Sequence, residues 1–259
     1  MERMTTTNRA LSFDSVATQY ADARPGYPAA LFDAVEDLAA RRLAGAHVID
    51  VGAGTGIATR LLRERGARVT AVEPGPDMAA RLRRDLPDVP LVRGIGDALP
   101  LADGTADLIT YAQSWHWTDP ARSLPEALRV LRPGGALVLW WNVADLDVPW
   151  IAAADARLRR AAGDGAHGAR GARAAGPDLP AGVAFAERRV HWTRVVSVDT
   201  HLTNLGSHSI FRVLGAEATA AFLDGERAEL LKLFADGTVE EAYVVHVAVT
   251  LLDSAPAAA

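Results

Sequence analysis

The sequence contains no cysteine among its 259 residues. Disulfides, thiolate metal ligands and cysteine nucleophiles are therefore excluded at the outset. A basic surplus is also missing: 32 acidic residues against 27 Lys and Arg give a formal net charge of −5. Proteins that grip phosphate backbones usually carry a basic excess or stripe. The Arg-rich piece Arg81-Leu82-Arg83-Arg84 is interleaved with acids and reads as a solvated helix face, so nucleic acid is not expected as a partner. No apolar run approaches membrane-spanning length, and Met1-Glu2-Arg3-Met4-Thr5-Thr6-Thr7 offers no apolar stretch for a secretory signal. No membrane partner is expected, and the cytoplasm is the default location. His201 and His208 lie two helical turns apart, but no carboxylate completes a metal site with them, and no metal is expected. What remains is ordinary: 49% hydrophobic residues, enough to bury the core of one large domain spanning 1–259.

Between His47 and Trp141, short β-branched runs alternate with amphipathic ones. The pattern predicts strands at 47–51, 68–72, 89–93, 106–111 and 136–141, with helices at 57–65, 77–85 and 120–131. Arg132-Pro133-Gly134-Gly135 stops the last helix sharply. Strands alternating with crossover helices predict an α/β fold, a doubly wound, mostly parallel Rossmann-like sheet, with its core at 45–145. Ahead of it, 13–20 and 28–43 read as two helices within an N-terminal segment at 12–44. Behind it, 146–259 reads as a variable part in which 151–182 is a helix start followed by a mobile loop, since Gly163, Gly165, Gly168, Gly171 and Gly176 oppose a stable helix. Strands return at 183–197 and 242–252, with helices near 201–205 and 227–234.

The strongest chemical signal is Val48-Ile49-Asp50-Val51-Gly52-Ala53-Gly54-Thr55-Gly56. Alternate glycines after a strand let the backbone pass close beneath a nucleoside, and the next helix offers its N-terminus. A nicotinamide dinucleotide fingerprint asks for glycine at the sixth position, where this sequence has Ile57. A generic tight turn between strand and helix is the plainer reading. Glu73 ends the second strand about twenty residues on, where a carboxylate can accept from both hydroxyls of a ribose diol.

These residues resemble the methyltransferase type 11 group of class I S-adenosylmethionine-dependent methyltransferases. Asp50 to Gly56 matches the group's first motif, Val72-Glu73-Pro74 with Met78 its second, Ala98-Leu99-Pro100-Leu101 with Asp107 the run into the fourth strand, and Leu128 to Gly135 the turn before the fifth. The resemblance implies S-adenosylmethionine as cofactor, held by Asp50, Gly52, Ala53, Gly54, Gly56, Glu73, Pro74, Met78 and Gln113. It extends through Phe13-Asp14 to Tyr20 and Arg24-Pro25-Gly26-Tyr27-Pro28, a subgroup lid in which Tyr20, Arg24 and Tyr27 would close over the cofactor. Arg24 reads equally as a surface turn residue. One departure stands out: many members place an aspartate after the glycine matching Gly94, to accept from the adenine amino group, and here Ile95 follows. Gly96 or Asp97 is left to replace that contact.

The fourth strand ends in Tyr111-Ala112-Gln113-Ser114-Trp115-His116-Trp117, and the carboxyl ends of strands in such sheets face the ligand. The Asn/Asp-Pro-Pro-aromatic tetrad typical of amino-methylating DNA and protein-glutamine enzymes is missing. His116 is the candidate general base, or else a positioning residue, since Gln-x-x-His-Trp is common in the subgroup. Tyr27, Trp117, Trp141 and Asn142 are the candidate acceptor-binding residues. The expected activity is methylation of a small, fairly apolar acceptor, such as a secondary metabolite, on oxygen, carbon or nitrogen. An NAD-dependent oxidoreductase and a non-catalytic S-adenosylmethionine-binding module are the rival readings. Oligomeric state is not indicated.

Overall fold

The computed structural model describes residues 24–163, 179–208 and 210–252. In chain order its elements are α1 (Ala29–Leu38), β1 (His47–Val51), α2 (Ile57–Glu64), β2 (Arg68–Val72), α3 (Pro76–Asp85), β3 (Leu91–Val92), β4 (Ala106–Ala112), a 3₁₀ turn (Trp115–Trp117), α4 (Pro120–Val130), β5 (Leu131–Ala144), α5 (Pro149–Ala162), β6 (Ala186–Ser197), α6 (Val198–Gly206), α7 (Ile210–Leu214), α8 (Ala216–Leu233) and β7 (Thr238–Leu251). The strands form one seven-stranded sheet in the order β3-β2-β1-β4-β5-β7-β6. All pairs are parallel except those of β7, which runs antiparallel to β5 and β6. The expected α/β class and mostly parallel sheet are what the chain adopts.

Alternation along each strand builds two apolar layers. On one face Leu31, Phe32 and Val35 of α1 cover Val48, Leu108, Val138, Trp140, Val245 and Val247. On the other, Ala127 and Val130 of α4 cover Ile49, Ile109, Tyr111, Leu137, Leu139 and Trp141. Between β1 and β4 the winding reverses direction, and at such a switch point the loops beyond the carboxyl ends of the strands part to leave a crevice. The glycine turn, Glu73 and the run from Gln113 to Trp117 lie at this edge, whereas Asp107 and the turn from Leu128 to Gly135 lie at the opposite, amino-terminal ends of β4 and β5.

Several boundaries differ from expectation. The helix expected to reach residue 43 stops at Leu38, because Glu36 turns back to accept from the Leu43 N–H at 2.8 Å and Ala40 adopts a positive φ of 46°. β5 starts at Leu131, ahead of the Pro-Gly-Gly break, since Leu131 pairs with Ala106 and a register shift before Leu108 absorbs the irregularity. The helix start expected at 151 is α5, which runs from Pro149 to Ala162 and ends at Gly163 (φ 62°). Residues 164–178, and the helix expected at 13–20, lie outside the described residues.

Candidate active site

β1 delivers the glycine turn to the crevice. Gly52 and Ala53 donate their N–H groups to the Val72 carbonyl at 2.8 and 3.1 Å, which ties the turn to the end of β2. At Gly52 (φ 70°) a Cβ would lie 2.5 Å from Ser114 Cβ, so only glycine fits. At Gly54 (φ 58°) a Cβ would meet nothing within 4 Å; the crest of the turn borders open space. Gly56 opens α2 without a side-chain cap, leaving the first helical N–H groups directed at the turn.

Glu73 is buried, and its carboxylate braces the same turn: Oε2 accepts from Gly54 N at 2.8 Å and Oε1 from Gly75 N at 2.7 Å. Pro74 follows it half-buried, its carbonyl taken by the Arg93 side chain, and Met78 lies half-buried in the first turns of α3. Asp50 lies wholly beneath the turn, accepting from Thr59 Oγ1 at 2.6 Å and Thr110 Oγ1 at 3.1 Å. Burial pushes its pKa up to about 6, against the opposing pull of the two hydroxyls. Asp50 thus supports the turn from below instead of meeting a ligand.

Beyond β3, Asp97 is committed elsewhere. Its Oδ1 accepts from Asp119 N at 3.0 Å and Ser123 Oγ at 2.6 Å, which anchors the start of α4. Gly96 is buried, and a Cβ there would come within 3.0 Å of the Tyr111 hydroxyl and of Thr118. Close packing is what this glycine serves.

At the end of β4 the backbone is strained: Gln113 adopts φ 59°, uncommon for a residue with a side chain. Its N–H donates to the Trp140 carbonyl (3.0 Å) and its Nε2 to the Asn142 carbonyl (2.9 Å). Ser114 then locks against the turn through Oγ to the Val51 carbonyl at 2.5 Å. His116 is exposed at the rim, its ring centroid 4.6 Å from that of half-buried Trp117. Crowding by protein lowers its pKa to about 4. Its exposure to solvent moderates that shift, and the imidazole is neutral at pH 7 in either case.

Of the acceptor candidates, Tyr27 is half-buried edge-on to Trp140, with ring centroids 5.6 Å apart. Burial raises the pKa of its hydroxyl, as does, more weakly, the Asp50 charge, so Tyr27 sits over the same end of the sheet. Arg24, exposed at the start of the described residues, acts electrostatically on Tyr27. Trp141 is not at a strand end: β5 continues to Ala144, and Trp141 is 2% exposed within the core against α4. It cannot line an open pocket there. Asn142 is half-buried and bonded through Oδ1 to Trp192 Nε1 at 3.0 Å. Tyr20 lies outside the described residues. The sequence reading missed Ser114, Thr59, Thr110 and Trp192; only Trp192 left a trace, in the period-two run Val190, Trp192, Arg194. Among the described residues no group of three or more His, Asp or Glu is placed to hold a metal.

A glycine crest with open space above it, a carboxylate clasped to that crest and a bare helix N-terminus together fit a nucleoside carrying a free ribose diol. With the strand order of the sheet, they form the crevice of a Rossmann-like fold. Residues 49–139 match the family described as methyltransferase domain. An uncharacterized methyltransferase of Mycobacterium tuberculosis is 46% identical over 141 residues, covering 54% of this chain and 56% of that protein. A demethylmenaquinone methyltransferase of Beutenbergia cavernae is 38% identical over 106 residues, 40% of this chain and 42% of its own. The chain thus spans about half the length of the curated relatives it matches. A solved structure from Anaeromyxobacter dehalogenans, assigned as a type II methyltransferase, aligns over 90% of this chain and 99% of its own with a TM-score of 0.69 at 23% identity, a shared fold. Residues 49–139 thus match a methyltransferase domain, set in a seven-stranded sheet whose fold is shared with that structure.

Proposed function

We propose that the protein transfers the methyl group of S-adenosylmethionine to a small-molecule acceptor, on oxygen, carbon or nitrogen. The observation that carries this reading is the clasp between Gly54 and Glu73 at the switch point of the sheet. When bound, the cofactor supplies a methyl carbon whose bond to sulfonium sulfur breaks as an acceptor lone pair bonds to it, leaving S-adenosylhomocysteine and one proton from the acceptor. Glu73 holds the ribose diol and the turn passes beneath the nucleoside. The run from Gln113 to Trp117 borders the reacting methyl, and the crevice aligns donor and acceptor while keeping water out. His116 is suited to positioning: a neutral ring of lowered pKa is a weak proton acceptor near pH 7.

A small acceptor is supported by the missing Asn/Asp-Pro-Pro-aromatic tetrad, by the net charge of −5 and by a relative named for acting on demethylmenaquinone. A secondary metabolite met in the cytoplasm suits these features. Among the described residues no helix is long and apolar enough to cross a membrane. The rival dinucleotide reading loses support at Ile57, which stands where that fingerprint needs glycine.

Calorimetric titration with S-adenosylhomocysteine, with NAD as control, tests the proposal; binding of NAD alone would overturn it. Glu73→Ala is expected to weaken S-adenosylhomocysteine about 10–100-fold, since hydrogen bonds to a charged group contribute about 1.5–3 kcal/mol. The same change releases the Gly54 and Gly75 N–H groups, so the unfolding midpoint is measured alongside. Unchanged affinity in a folded variant would remove Glu73 from the site.

A further inference from the structure

The ends of β4 and β5 hold two amide groups whose orientations are set by their partners. Gln113 Nε2 donates to the Asn142 carbonyl, so Gln113 Oε1 is the atom left over. Trp192 Nε1–H donates to Asn142 Oδ1, so Asn142 Nδ2 is left over with its two N–H donors. Among the described residues no protein group bonds either atom. Both residues are half-buried, where an unpaired amide is costly unless something polar meets it. Both stand beside the glycine turn, because Ser114, directly after Gln113, packs on Gly52.

Next to them Trp192 is held rigidly. Its N–H is fixed by Asn142, and its ring stacks on Tyr243 at 5.1 Å and 23°. Tyr243 in turn donates its hydroxyl to Glu241 Oε2 (2.8 Å) and accepts from Asn204 Nδ2 (3.1 Å). Glu241 is buried and also takes Arg194 Nε and His201 Nδ1, so the charges behind the aromatic pair are spent on one another. Tyr27 borders the same apolar cluster as Trp192, around Trp140. The result is a half-buried aromatic wall backed by a closed polar network, with one carbonyl oxygen and one amide NH₂ unspent at its edge. Such pre-organisation lowers the cost of binding a rigid ligand.

The geometry points to Trp192, Asn142 and Gln113 as the acceptor-recognition residues, and to a flat, uncharged ring compound bearing at least one hydrogen-bond donor and one acceptor on its rim as the acceptor class. Gln113 Oε1 takes the donor, Asn142 Nδ2 meets the acceptor and Trp192 contacts the ring. This assignment rests on the methyl-transfer reading above.

The test uses the full chain saturated with S-adenosylhomocysteine and titrated with catechol by ligand-observed NMR. Cyclohexane-1,2-diol, which is not flat, and 1,2-dimethoxybenzene, which donates nothing, serve as comparison probes. Catechol is expected to bind at least fivefold more tightly than either. Asn142→Asp keeps the Trp192 partner while removing the N–H donors, and Trp192→Leu removes the ring; each is expected to weaken catechol at least fivefold at unchanged affinity for S-adenosylhomocysteine. Equal binding of catechol and cyclohexane-1,2-diol, no binding of catechol, or full affinity in folded Asn142→Asp would overturn the acceptor class and leave the cofactor reading standing. Failure of S-adenosylhomocysteine itself to bind would overturn the cofactor reading, and this assignment with it.

Discussion

Asp50 shows how much a single residue of the turn costs. Its carboxylate is fully buried, and two threonine hydroxyls offset only part of the lost hydration, so its pKa rises from 3.8 to about 6. A raised carboxylate pKa means that the native state holds a proton longer than the unfolded chain does. Stability from this group is therefore full below pH 4 and falls as pH climbs through 6, by about 3 kcal/mol at most. Asp50→Asn removes the charge while Thr110 Oγ1 keeps the Ile49 carbonyl as a second acceptor at 3.4 Å. The variant is expected to gain stability over the parent between pH 4 and 6 and to hold a constant lead above it, read from urea midpoints across pH. A lead that does not change with pH would mean that Asp50 ionises normally. His116 makes the opposite case, a group at the rim whose lowered pKa disfavours proton transfer. On whichever acceptor a labelled-methyl screen identifies, His116→Ala is expected to retain turnover within about tenfold, whereas a loss of 100-fold or more would restore it as the base.

At the scale of elements, α5 and α8 are joined by one bidentate ion pair: Arg157 Nε and Nη2 reach the two oxygens of Glu226 at 2.5 and 2.7 Å. Glu226 is 3% exposed, so removing its partner strands a buried carboxylate. Arg157→Met is expected to cost about 3 kcal/mol in urea unfolding. Arg157→Met with Glu226→Leu is expected to lie closer to the parent, because no charge is then left stranded; a double variant weaker than the single would refute that account. The residues of α5 are rich in Ala and Arg, strong helix formers, so a helix start was legible there, and the glycines beginning at 163 mark its end. Legibility tracked sequence distance throughout. The glycine turn, Glu73 and the order of strands and helices through residue 141 depend on local pattern and could be read directly. Thr59 and Thr110 under Asp50, Ser114 against Gly52 and Trp192 against Asn142 depend on partners from 9 to 63 residues away, which no local period reports. Trp141 was misplaced for a related reason: β5 is longer than its apolar run, so the end of the run was not the end of the strand.

On the scale of the whole molecule, the question is whether the C-terminal ribbon of β6 and β7 belongs to the same cooperative unit as the cofactor end. The register argues that it does. β7 pairs with β5 from Ala136–Leu251 to Ala144–Tyr243, and Val245, Val247 and Val249 share the apolar layer of Val48 and Trp140. A ligand that binds only the native state then stabilises every strand together, by about 2.7 kcal/mol at 100 times its dissociation constant. For a chain of this size that corresponds to about 5–10 °C in unfolding midpoint. S-adenosylhomocysteine is expected to produce this shift and NAD none. Far-UV circular dichroism and tryptophan fluorescence are expected to move by the same amount, because Trp140 in the core and Trp192 in the ribbon report through one sheet. A second transition left in place by S-adenosylhomocysteine would separate the ribbon from the cofactor end, and the acceptor wall built on Trp192 would then be formed independently of the bound cofactor.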